Sequence, residues 1–206
     1  MVSLNGGAYA GSSVFVLLQL TEGRFEITQE NIFQQMGRKF LVTKASQARR
    51  TLYALDGQPA AEVLCRALQT APDALAGALA RHPFGLVEDG ALRINEVERV
   101  NPDGSITGYC RFFEGTTVSS LTTCDFTASM QDTLRRLHGK MPNPEFTIAV
   151  NCYGRTQMYL KNGWMDAFTG ALAASLGRYM GLTSHGEQLG KYQLNLTLLL
   201  LSMGKN

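Results

Sequence analysis

The sequence predicts an α+β protein, a largely antiparallel mixed sheet with helices packed on it. Three observations carry this. Apolar runs of strand length, closed by Gly, Asn and Asp, follow one another without an intervening helix over residues 84–124. Helical stripes arrive in groups rather than alternating with single strands, which favours α+β over a doubly wound sheet. The 206 residues are 45% hydrophobic and 17% charged, a composition that buries a core instead of staying disordered.

In chain order, the Gly-rich start leads into an apolar run at 13–20, read as a strand. Thr21-Glu22-Gly23 turns it into a short partner at 24–28. Residues 38–45 and 49–57 read as two more strands, with Asp56-Gly57 a turn. Pro59 opens a helix, where its missing N–H costs nothing, and Val63, Leu64, Ala67 and Leu68 give that helix an apolar stripe. Asp73 is expected to cap a second helix bearing Leu75 and Leu79. A meander follows: 84–87, 91–100, a turn at Asn101-Pro102-Asp103-Gly104, a return at 105–113 and a strand at 116–123. Asp125 caps the clearest helix, whose Phe126, Met130, Leu134 and Leu137 form one stripe, with Arg135, Arg136 and His138 suited to its C-terminal end. Gly139 and Pro142 stop it. A buried strand at 146–150 ends in Cys152, two helices follow, and a polar loop at 184–193 precedes a closing apolar strand.

Several function classes are disfavoured. Net charge is +2, and the basic pairs are short and scattered, so no nucleic-acid partner is expected. Cys65, Cys110, Cys124 and Cys152 form no Cys-x-x-Cys pair and the histidines lie far apart, so neither a metal site nor another cofactor is expected. So few thiols suit a reduced, cytoplasmic protein better than a disulfide scaffold. No basic and apolar leader opens the sequence, so a secretory signal is not expected. The most apolar stretch, 194–203, is interrupted by Asn195 and Thr197 and is about half the roughly 20 residues a membrane span needs.

Two polar clusters interrupt core strands. In "VNCYGR", Cys152, Tyr153, Gly154 and Arg155 stand at the end of the 146–150 strand, where rigid scaffold meets adaptable loop. Arg155 offers a planar fork to a carboxylate or phosphate, and Gly154 allows close approach. The structural alternative is a buried thiol and an arginine paired with an acid such as Glu187. In "SHGEQLGKYQLNLT", His185, Gly186 and Glu187 sit in a Gly-hinged loop, and Asn195 and Thr197 share one face of an apolar strand. A buried Asn left unbonded costs about 1–3 kcal/mol, so Asn195 bonds the loop backbone or a ligand. No nucleophile elbow, phosphate-binding loop or dinucleotide fingerprint occurs.

Taken in order, "FLVTKASQARRTLYALDGQPAAEVL", "VNCYGR", "HGEQLG" and "NLTLLLL" resemble segments of the FIST proteins, sensory proteins with an N-terminal and a C-terminal FIST domain. Leu196 and His185 depart from the family pattern. The resemblance assigns 46–206 to the C-terminal domain and 1–45 to the last strands of the N-terminal one, and the composition break near 45–48 agrees. It implies a cytoplasmic small-molecule sensor, found in bacteria beside signal-output domains, with amino acids or related metabolites as the ligands suggested for the family. No catalysis is expected. Thr43, Cys152, Tyr153, Arg155, His185, Gly186, Glu187, Asn195 and Thr197 are the candidate ligand-binding residues, with Arg155 and Glu187 reading the two charges of an amino acid. The alternatives are a protein-interaction module whose polar residues brace the fold, and a Cys152-dependent enzyme or redox sensor.

Overall fold

The structure, a computed structural model, describes residues 1–205. A short hairpin, β1 (Val2–Leu4) with β2 (Gly7–Tyr9), opens the chain. The break at Asn31-Ile32 then divides two strands between two sheets: β3 (Arg24–Glu30) enters one, β4 (Phe33–Ser46) the other. After β4 come β5 (Thr51–Leu55), β6 (Gln58–Pro59), α1 (Ala60–Leu68), α2 (Leu75–Arg81), β7 (Phe84–Glu88), β8 (Ala91–Asn95), β9 (Val97–Val100), β10 (Ile106–Gly108) and β11 (Thr117–Thr123). These strands form an antiparallel sheet of order β8-β7-β11-β4-β5-β10-β9, with β6 beside β5. The rest of the chain is α3 (Phe126–Lys140), β12 (Phe146–Cys152), α4 (Tyr153–Lys161), α5 (Met165–Leu176), β13 (Tyr179–Ser184), the hairpin β14 (Glu187–Leu189) with β15 (Tyr192–Leu194), and β16 (Leu198–Gly204). The second sheet has the order β13-β12-β16-β3. Its β12–β13 pair is parallel, and α4 with α5 supplies the crossover such a pair requires.

The buried side chains form two clusters, and the larger sheet contributes Phe33, Ile94 and Leu121 to the cluster of the smaller sheet. On the larger sheet, Leu64 of α1 and Leu75 and Leu79 of α2 pack over Phe40, Val42, Leu52 and Ile106. On the smaller one, Leu134 and Leu137 of α3, Tyr159 of α4 and Leu172 of α5 pack over Ala149, Leu198 and Leu200. The α3 stripe is buried as its spacing requires, and the Asp125 carboxylate accepts the Ala128 N–H at 2.7 Å.

Some elements differ from expectation. Residues 13–20 form no strand, and Phe15 and Leu17 stand 82% and 88% exposed. A strand exists through its ladder, and among the described residues this run has no partner. Asp73 lies in a 3₁₀ turn, and α2 begins behind Ala74 without a side-chain cap. The expected strand at 105–113 stops at Gly108, because Asn95 takes the next backbone groups: it accepts the Cys110 N–H at 3.1 Å and donates to the Cys110 and Arg111 carbonyls.

Candidate functional site

The chain passes from β12 into α4 at Cys152 with no intervening loop, so "YGR" becomes the first turn of a helix. That geometry separates the side chains. Arg155 points inward and is completely buried. Its guanidinium pairs with Glu30 at the end of β3 and donates to Asn151 Oδ1. Tyr159 and Phe168 lie 4.3 and 4.9 Å from its central carbon. Glu30 is 1% exposed, so the pair is walled from solvent. The expectation that Arg155 meets Glu187, or holds a ligand with it, is thereby corrected. Arg155 spans the sheet interior to a carboxylate that sequence proximity does not reveal.

Glu187 has other partners. Ser184 Oγ donates to one of its oxygens, and Thr197 Oγ1 donates to the other at 2.8 Å. Burial pushes its carboxyl above the ordinary range, while the Ser184, Thr197 and Cys152 hydrogen bonds pull it back. Burial, then the charge of Glu187, also raises the Cys152 thiol. A buried thiol with a raised pKa is a poor nucleophile.

In front of these groups lies a cavity of about 470 Å³, lined by Cys152, Tyr153 and Gly154 from the β12–α4 corner, His185 and Gly186 from the β13–β14 turn, and Asn195. The Tyr153 and His185 rings stack at 4.8 Å. Asn195 is fixed in the cavity wall: its Oδ1 accepts from the Cys110 thiol at 2.8 Å and its Nδ2 donates to the Leu194 carbonyl at 3.0 Å. Arg50 and Glu96 also line it, with Tyr109, Gln157 and Gln193. Glu96 occupies the break between β8 and β9, and its carboxylate presses on α4 so closely that a Cβ on Gly154 would stand 2.6 Å from both oxygens. Among the described residues, no donor bonds to that carboxylate. Burial first, and then the charge of Glu187, pushes its pKa up to about 7. The same burial, with Glu96 beside it, pushes the Cys110 thiol up to about 11. Arg50, held by Glu98 at 3.2 Å, stands on the solvent side. Glu96 and Gly154 also face a second cavity of about 640 Å³ that extends toward α2 and Trp164.

Of the residues singled out from sequence, Cys152, Tyr153, His185, Gly186 and Asn195 converge on the first cavity. Glu187 and Thr197 form a bonded pair behind it. Thr43 does not belong: it is exposed on β4, where its hydroxyl accepts the Gly57 N–H at 3.0 Å. Sequence reasoning missed Glu96 and Arg50. Asn95-Glu96, two polar residues inside "ALRINEVERV", was a readable signal. Arg50 sent none.

Fold and cavity together define an α+β domain with a polar cleft at the end of a core strand. A family model described as "FIST C domain" matches residues 60–189, from α1 to β14, and the chain belongs to this family of signal-transduction sensory domains. The matched span contains Glu96, Cys110, the β12–α4 corner and Glu187, while Arg50 and Asn195 lie outside it. No curated protein and no solved structure matches the chain. Among the described residues, no helix is long and apolar enough to cross a membrane, and no group of three His, Cys, Asp or Glu is placed to hold a metal ion.

Proposed function

We propose that the chain is a non-catalytic sensory domain that binds an amino acid or a related amine-bearing metabolite in the cleft at the β12–α4 corner. The observation that carries the reading is the Glu96 carboxylate, half sealed in the cavity wall against Gly154 with no donor among the described residues. A ligand ammonium would supply both the missing charge and the missing hydrogen bonds. Arg50, at the outer edge of the same cavity, would take the ligand carboxylate, and the Tyr153–His185 stack would flank its side chain. The two-charge recognition first assigned to Arg155 and Glu187 thus passes to Arg50 and Glu96.

The raised thiols of Cys110 and Cys152 support binding without covalent chemistry. A signal-output protein as partner, a cytoplasmic location and the descent of residues 1–45 from an N-terminal FIST domain belong to the same proposal.

A thermal-shift screen of amino acids tests it. Ligand at a hundred times Kd stabilises by about 2.7 kcal/mol, a rise of roughly 5–10 °C for a domain of this size. The shift should vanish in Glu96→Gln and shrink in Arg50→Ala. A panel without any shift, or a shift unaffected by Glu96→Gln, refutes the assignment.

A further inference from the structure

Helices cover the smaller sheet on one face only. Helices α3, α4 and α5 all pack on the face that carries Ala149, Leu198 and Leu200. The register identifies what lies on the other. Met180 pairs with Ile148, Ile148 with Leu201 and Leu201 with Ile27, a continuous apolar row across all four strands. Leu182 and Phe25, 43% and 58% exposed, extend the surface into the neighbouring rows. None of these six residues belongs to either core. Within the four strands this face carries no charged residue.

A second observation points to the same missing layer. Residues 14–18, five consecutive large hydrophobic side chains, are exposed and have no strand partner among the described residues. They join β3, the outer strand of this sheet, through the turn at Thr21-Glu22-Gly23. A run that is apolar at odd and even positions alike suits a strand covered on both sides, not one at a solvent boundary. Beside β3 it would have helices below it and nothing above.

We infer that the uncovered face is the docking surface for a second copy of this chain, sheet against sheet about a two-fold axis. The argument for a self-pair is electrostatic and geometric. An isologous contact brings every patch against its own image, so a charged face repels itself and this uncharged one does not. At its edge Gln29, on this face, accepts from Arg93 at 3.5 Å, while Lys140 pairs with Glu26 at 3.7 Å and Lys205 with Glu22 at 3.5 Å. Strands about 4.8 Å apart and residues about 3.3 Å long give a footprint of about 400 Å² for the four strands. Two such faces with their two apolar segments cover on the order of 1,000 Å², the size a specific interface needs. The inference is independent of the ligand assignment, because the face and the cleft share no residue named for either.

Light scattering on the full chain across about two decades of concentration tests it. The expected result is a mass twice the 22.5 kDa of the chain. The double variant Ile27→Lys/Leu182→Lys, at positions 37% and 43% exposed, should keep its far-UV spectrum and become monomeric. Val87→Lys, 56% exposed on β7 in the other sheet, should remain dimeric. A monomeric wild type overturns the inference and passes the face to a different protein. A dimer that survives the double variant, or is lost in Val87→Lys, overturns it as well.

Discussion

Arg155→Met separates a structural arginine from a ligand-binding one. Methionine retains much of the aliphatic volume, so the change removes charge and hydrogen bonds more than packing. It leaves the Glu30 carboxylate, 1% exposed, without its cation. Breaking such a buried pair from one side costs about 3–5 kcal/mol. Loss of the guanidinium over Tyr159 and Phe168 adds about 1 kcal/mol. A domain of ordinary stability holds about 5–15 kcal/mol, so Arg155→Met should remain folded but marginal, melting roughly 10–20 °C lower. Urea unfolding followed by far-UV circular dichroism measures the loss without any ligand. The double variant Glu30→Gln/Arg155→Met, which removes the orphaned charge, should be more stable than the sum of its single variants by about 1–3 kcal/mol. An Arg155→Met cost below about 1 kcal/mol, or strict additivity in the cycle, would refute the reasoning.

Three further predictions follow from the cleft. The folded chain holds a proton on Glu96 up to about pH 7, whereas an ordinary glutamate has lost it above 4.5. Stability should therefore fall as pH rises through that window, by on the order of 3 kcal/mol, and Glu96→Gln should flatten the fall and be the more stable variant at pH 8; parallel curves for the two proteins contradict this. Gly154→Ala places a methyl group 2.6 Å from the Glu96 oxygens, the mobile end of a side chain, and improves helix propensity. It should change stability by less than about 1 kcal/mol while abolishing the thermal shift, and an unchanged shift counts against Glu96 as the reading group. Cys152, buried and with its thiol pKa raised, should react with iodoacetamide far more slowly in the folded than in the unfolded chain; equal rates would revive a thiol-based function.

What the sequence disclosed was local. The Asp125 cap, the α3 stripe, the Pro59 helix start and the Asn101–Gly104 turn are set by residues within a few positions of one another, and the structure has them as read. The strand at 13–20 was read from apolar character alone, but a strand needs a partner, which composition does not supply. The cleft was half legible. Cys152, Tyr153 and His185 announce themselves as polar groups beside core strands, and they do meet. Arg155 deceived because its partner Glu30 is 125 residues away, at the end of a strand two places across the sheet. Glu96 sits inside a run that scans as one strand despite the Asn95-Glu96 pair, and the structure breaks that run at Glu96, between β8 and β9, and sets its carboxylate against Gly154.

The most direct test is the pH dependence of ligand binding. If Glu96 takes the ammonium and titrates near 7, its ionised fraction rises about tenfold between pH 6 and pH 8, while the ammonium of a free amino acid, more basic than a chain terminus, stays largely protonated. Isothermal titration of the best amino acid from the screen should therefore give a Kd about tenfold lower at pH 8 than at pH 6, and Glu96→Gln should bind weakly at both. A Kd that ignores pH, or a Glu96→Gln variant that binds as tightly as the wild type, would contradict the account.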